Sequence, residues 1–132
     1  MNTQTAEIHE IMVAELAKPG QDIIDHLTPE SANILHMAIG VCGEAGELMD
    51  AIKKFAIYRK DLDFDNVIEE LGDMFFYLQG IRLALNKGLI AAGAEPLSWD
   101  AIMQANIDKL TVRYPAGKFT TADAQARADK QA

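Results

Sequence analysis

An all-α fold, an antiparallel bundle of four to five helices, follows from three features of this 132-residue sequence. Apolar residues recur at spacings of three and four along four long stretches, and no stretch reads as a strand. Helix start and stop signals bound those stretches. Hydrophobic residues make up 49% of the chain, enough for a packed core. A domain this short buries a smaller share of its surface than a large one, so the core is expected to be completed by oligomerisation. The whole chain, 1–132, reads as one domain.

The first helix is expected from about Thr5 to Ala17, where Ile8, Ile11, Met12 and Leu16 keep helical spacing. Lys18-Pro19-Gly20 ends it, because proline cannot continue a helix and glycine relaxes the turn. The second starts at Thr28, a good N-cap, with Pro29 in the first helical position and Glu30 against the positive helix end. It runs through Leu35, Ile39, Leu48, Ile52 and Phe55 to about Tyr58. The acidic turn Asp61-Leu62-Asp63 follows. The third helix begins near 63–65 and continues to about Leu85, with Asn86-Lys87-Gly88 read as its stop. Residues 89–97 are ambiguous between a helical turn and a connection. Ser98 caps the fourth helix, expected from Trp99 to about Arg113 and ended by Tyr114-Pro115-Ala116-Gly117. The alanine-rich, polar tail 120–132 is expected to be mobile at its end.

Twelve basic and twenty acidic residues give a net charge of −8. That argues against stable binding to nucleic acid or an anionic membrane, although a bound cation can invert the field locally for a phosphate ligand. The single cysteine, Cys42, excludes an internal disulfide and a cysteine-rich zinc site, and fits a reduced compartment. No apolar run reaches transmembrane length, and the N-terminus lacks the regions of a signal peptide. The expected location is cytoplasmic, in a bacterial or phage-infected host cell.

The chemistry concentrates in two acidic pairs. Glu44 and Glu47 lie three apart on the second helix, and Glu70 and Asp73 repeat that spacing on the third. Residues three apart are neighbours on one helical face. A short turn joins the helices, so antiparallel packing brings the pairs together. Asn66, Glu70, Asp73 and Tyr77 form one stripe, and His36, Gly40, Glu44, Glu47, Ala51 and Lys54 form another, both beside apolar positions. Four carboxylates held together repel, and oxygen-only ligation suits a hard cation such as Mg²⁺ or Mn²⁺. The bland alternative is solvated surface acid. Gly40, Gly43 and Gly46 weaken a helix interior, which close helix packing or room for a ligand would explain.

On the fourth helix Trp99, Ile102, Asn106, Lys109 and Arg113 share a stripe. Lys109 and Arg113 are able to hold phosphate oxygens, and Asn106 to orient a phosphate or sugar oxygen. Favourable charge at a helix C-terminus would also place them there. His36, Lys54, Tyr77 and Trp99 are further candidates for substrate contact.

The segments GEAGELMDAIKK (43–54) and EELGDMFFYL (69–78), with NIDKLTVRYPAGKF (106–119), resemble the MazG-like all-α NTP pyrophosphohydrolase superfamily. The resemblance covers roughly 34–119 and one acidic constellation, as in compact, single-module members of phage and housecleaning type. It implies cleavage between the α- and β-phosphates, giving a nucleoside monophosphate and pyrophosphate. It implies Mg²⁺ held by Glu44, Glu47, Glu70 and Asp73, with Mn²⁺ able to substitute, and one of these acids or a neighbour activating the water. It also implies Asn106, Lys109 and Arg113 on the substrate phosphates and assembly as a homodimer or homotetramer. A purine triphosphate such as dGTP or GTP is the favoured substrate, with a dUTP- or dCTP-type diphosphatase as the alternative.

Two other classes compete. A carboxylate-bridged di-iron bundle needs a glutamate three residues before a ligating histidine. None of His9, His26 or His36 has one. A non-catalytic helical interaction module would show no metal-dependent nucleotide turnover.

Overall fold

A computed structural model describes residues 3–130 and shows, among them, six α-helices, one 3₁₀ turn and no strand. The helices are α1 (Thr3–Leu16), α2 (Gly20–His26), α3 (Pro29–Ala56), α4 (Phe64–Ala91), α5 (Trp99–Arg113) and α6 (Thr121–Ala126), followed by the 3₁₀ turn Ala128–Lys130. The all-α class is as expected, and the four longer helices are those read from the sequence. The short helices α2 and α6 are additional. The chain forms two compact units, one up to Tyr77 and one from Leu78 onward.

In the first unit, local chemistry fixes the helix starts. Thr28 accepts from the Ser31 N–H at 3.2 Å, and the Ser31 hydroxyl accepts from the Thr28 N–H at 2.8 Å. This reciprocal box satisfies two donors that a helix start leaves open. The Asp63 carboxylate does the same for α4, accepting from the Asn66 N–H at 3.1 Å. Between α3 and α4, Arg59 takes φ 54°, turning the chain in the left-handed region.

The α3–α4 pairing is antiparallel: Glu44 and Glu47 meet Glu70, while one to two turns back on α3 Gly40 meets Tyr77. The His36 and Tyr77 rings stand edge to face with centroids 6.4 Å apart. A Cβ built on Gly40 would overlap the Tyr77 ring, so this close approach requires glycine. Gly43 and Gly46 are different, because a Cβ there meets nothing within 4 Å. Close helix packing therefore explains one of the three glycines only.

In the second unit, α4 continues past the expected stop to Ala91. Asn86, expected to stop the helix, is instead buried at 7% exposure, and its side chain recognises the Leu97 backbone. Its amide donates to the Leu97 carbonyl at 3.1 Å, and its oxygen accepts the Leu97 N–H at 2.7 Å. Arg82 donates to the same carbonyl at 2.8 Å. These bonds hold the 92–98 connection against α4. Ser98 then caps α5, accepting from the Ala101 N–H.

The tail, which sequence analysis assigns no helix, carries α6 and the 3₁₀ turn. Its expected mobility at the very end concerns in part residues 131 and 132, which lie outside the described residues. Ala51 is the one buried hydrophobic side chain among the described residues. Large apolar residues are exposed in both units, Ile39, Met49 and Ile68 in the first and Leu83, Ile90 and Ile107 in the second.

Candidate metal centre

The α3–α4 pair brings three of the four expected acids together. One carboxylate oxygen from each of Glu44, Glu47 and Glu70 lies within 4.8 Å of the others. Oxygens sharing one octahedral Mg²⁺ stand roughly 3 to 4.2 Å apart, given ligand distances near 2.1 Å. The separations within the trio, none above 4.8 Å, are close to that range. Asp73 lies outside this tightest group and is exposed, but its charge still acts on Glu70.

Glu70 is the centre of the arrangement. It is 6% exposed. Its pKa is raised, first by burial, then by the charge of Glu47, a hydrogen bond shared with Glu44, and the charges of Glu44 and Asp73. Every neighbour in that account disfavours its ionised form. An oxygen-only set with excess negative charge fits a hard divalent cation, whose charge would offset the repulsion.

An open cleft of about 440 Å³ adjoins the acids, lined by Gly43, Gly46, Glu47, Asp50, Lys54, Asn66 and Glu70. The bare Cα atoms of Gly43 and Gly46 widen it. Lys54, a candidate substrate contact, lines it with its amine 2.7 Å from Asp50, which also holds Lys53 at 2.6 Å. The two lysines hold Asp50 near a pKa of about 2, Lys53 more than Lys54. Sequence reasoning gave Asp50 no role, although it extends the three-residue series of Glu44 and Glu47. It placed Asn66 on the acidic stripe without assigning it to the site.

The remaining candidates divide by unit. His36 and Tyr77 belong to the first, stacked edge to face beside Gly40. Asn106 and Lys109 are exposed on α5 in the second. Arg113 is held by Asp129 through two hydrogen bonds, Nε to Oδ1 at 2.6 Å and Nη2 to Oδ2 at 2.7 Å. Trp99 is also engaged: its indole donates to Gln79 at 2.7 Å, and Arg82 lies 5.6 Å from its ring centroid. That bonding makes Trp99 an anchor of α5 on α4.

The family model of the MazG nucleotide pyrophosphohydrolase domain matches residues 33–117, well over half of the chain. The chain belongs to the MazG nucleotide pyrophosphohydrolase family. No curated protein and no solved structure matched it. The match includes both acidic pairs and the Asn106–Lys109–Arg113 stripe of this MazG domain. The family's activity is nucleotide pyrophosphohydrolysis with a metal ion, and the acidic trio is able to hold one. Among the described residues, no helix is long and apolar enough to cross a membrane.

Proposed function

We propose that this MazG domain hydrolyses a nucleoside triphosphate between the α- and β-phosphates, with Mg²⁺ held by Glu44, Glu47, Glu70 and Asp73. The convergence of Glu44, Glu47 and Glu70 beside an open cleft carries this reading. A bound divalent cation supplies charge to neutralise the phosphates and polarise a phosphoryl oxygen. The chain's own groups do the rest. Glu44, Glu47 and Glu70 fix the ion's place, and Asp73 adds charge to the same cluster. An acid of the set that does not take the ion directly is free to accept the proton of the attacking water. Lys54, restrained by Asp50, offers an ammonium to a phosphate oxygen at the cleft. The same reading assigns substrate phosphate binding to Asn106, Lys109 and Arg113 on α5.

The substrate we favour is a purine triphosphate such as dGTP or GTP, in a cytoplasmic setting. The net charge of −8 supports a small metal-bound nucleotide as ligand over nucleic acid. The test is a panel of canonical and deoxy triphosphates with Mg²⁺, with pyrophosphate and phosphate release measured separately. Pyrophosphate release from purine substrates is expected. Release of phosphate alone would overturn α–β cleavage, and faster turnover of dUTP or dCTP would replace the purine assignment.

A homodimer or homotetramer is part of the same proposal. Each unit leaves large apolar side chains exposed, the kind of surface that obligate interfaces bury. Exposed side chains such as Phe75, Phe76, Ile90 and Ile107 supply apolar surface for such an interface. Sedimentation equilibrium should give at least twice the chain mass, and a monomer at micromolar concentration would refute this part.

A further inference from the structure

The C-terminal segment is built to deliver one carboxylate. Thr120 caps α6, its hydroxyl oxygen accepting from the Asp123 N–H at 3.0 Å. Arg127 then takes φ 48° and ψ 49°, a left-handed turn unusual for a residue with a side chain. The Lys130 N–H closes the 3₁₀ turn on the Arg127 carbonyl at 2.9 Å. Asp129 is thereby set against α5, its side chain 2% exposed and that of Arg113 20% exposed. The two hydrogen bonds to Asp129 engage Nε and Nη2 of Arg113. A guanidinium has five N–H donors in a rigid plane; with two on Asp129 and one shared with the Tyr114 side chain, two remain for other acceptors.

We infer that Asp129 is a positioning residue for Arg113, holding one edge of the guanidinium so that its remaining donors meet substrate phosphate without a search. The inference rests on the proposed role of Arg113 in phosphate binding. A free arginine loses rotamer freedom when it grips a ligand, and one already fixed by a carboxylate has lost it beforehand. The C-terminal turn, which lies beyond the residues that the family model matches, thus becomes part of the substrate grip.

Steady-state kinetics of the full chain with Mg²⁺ and dGTP test this, each variant checked for wild-type helicity by circular dichroism. Asp129→Asn should raise KM on the order of 10-fold with kcat little changed. Asp129→Glu should recover most of the loss. In an Arg113→Lys background, Asp129→Asn should add nothing, because the group it positions is gone. A lowered KM in Asp129→Asn would overturn the inference by making the carboxylate a competitor of phosphate. A KM rise that persists undiminished in the Arg113→Lys background would overturn it by placing the effect in the fold. If Arg113→Lys alone has the wild-type KM, the phosphate-binding role of Arg113 fails, and the inference with it. Absence of dGTP turnover by the wild type would instead refute the substrate assignment, and the same variants would then be read with the triphosphate it does cleave.

Discussion

Two carboxylate sites in this molecule have opposite electrostatics. Asp129 meets a guanidinium through two short hydrogen bonds, and its pKa is lowered to about 2. Glu70 is also largely removed from water, yet its named neighbours are Glu44, Glu47 and Asp73, and its pKa is raised. One site is complete in the protein alone. The other holds its charges together without an opposite charge among the residues that perturb it. Such an arrangement costs folding free energy unless a cation joins it.

The largest effect should come from removing the charges that wait for a partner. Glu47→Gln or Asp73→Asn should lower Mg²⁺-dependent pyrophosphate release by about 100-fold or more, since even outer partners of a metal ligand contribute 10- to 100-fold. Circular dichroism should show the helices intact. Wild-type rates in both variants would remove the contrast between the two sites.

Next comes stability. A divalent ion that binds only the folded state should stabilise it by about 2.7 kcal/mol at a hundredfold excess over its Kd. Thermal melts with Mg²⁺ against EDTA measure this, and Glu70→Gln should shrink the gap. The pH dependence of the EDTA melts follows from the direction of the Glu70 shift. Its pKa lies above the ordinary 4.5, so the folded state binds its proton more tightly than the unfolded chain does. Metal-free stability should fall as pH rises through that elevated value, and Glu70→Gln should flatten the fall. A rise over the same range would show that Glu70 sits among compensating charges.

Gly43→Ala tests the cleft against the helix. The new methyl meets nothing within 4 Å, so α3 should gain up to about 1 kcal/mol. The same methyl lines the cleft, so KM for nucleotide should rise. Greater stability with unchanged KM would detach Gly43 from the site.

The smallest effect concerns the completed pair. Asp129 has a pKa of about 2 against the ordinary 3.8, so its contribution is present above the ordinary value and disappears as pH falls toward 2. Acid titration followed by circular dichroism should show that limb in the wild type and a shallower one in Asp129→Asn. Identical limbs would mean that the pair contributes nothing measurable.

What the sequence disclosed was what neighbouring residues decide. Thr28-Pro29-Glu30 and Ser98 marked the starts of α3 and α5 because capping acts over three residues. The acids were legible because helical spacing converts sequence distance into a shared face, and the short turn before α4 dictates antiparallel pairing. Asn86 misled because its partner, Leu97, lies eleven residues on and turns a common stop signal into a bracket for the next connection. The seven residues of α2 carry too little periodicity to announce a helix. The Arg113–Asp129 bond depends on a left-handed turn at an arginine, which no propensity suggests. Asp50 escaped notice because its place at the cleft depends on what α4 sets opposite it.

Gly40 carries no functional group, yet it gauges the spacing of the two helices that carry the acidic cluster. The separation of α3 and α4 there is the distance at which a hydrogen atom, and nothing larger, fits against the Tyr77 ring. A methyl group at position 40, one turn from Glu44, would act as a shim that forces the Tyr77 ring or α3 to give way. The closeness of the two acid-bearing helices is thus set in part by a residue that has no side chain.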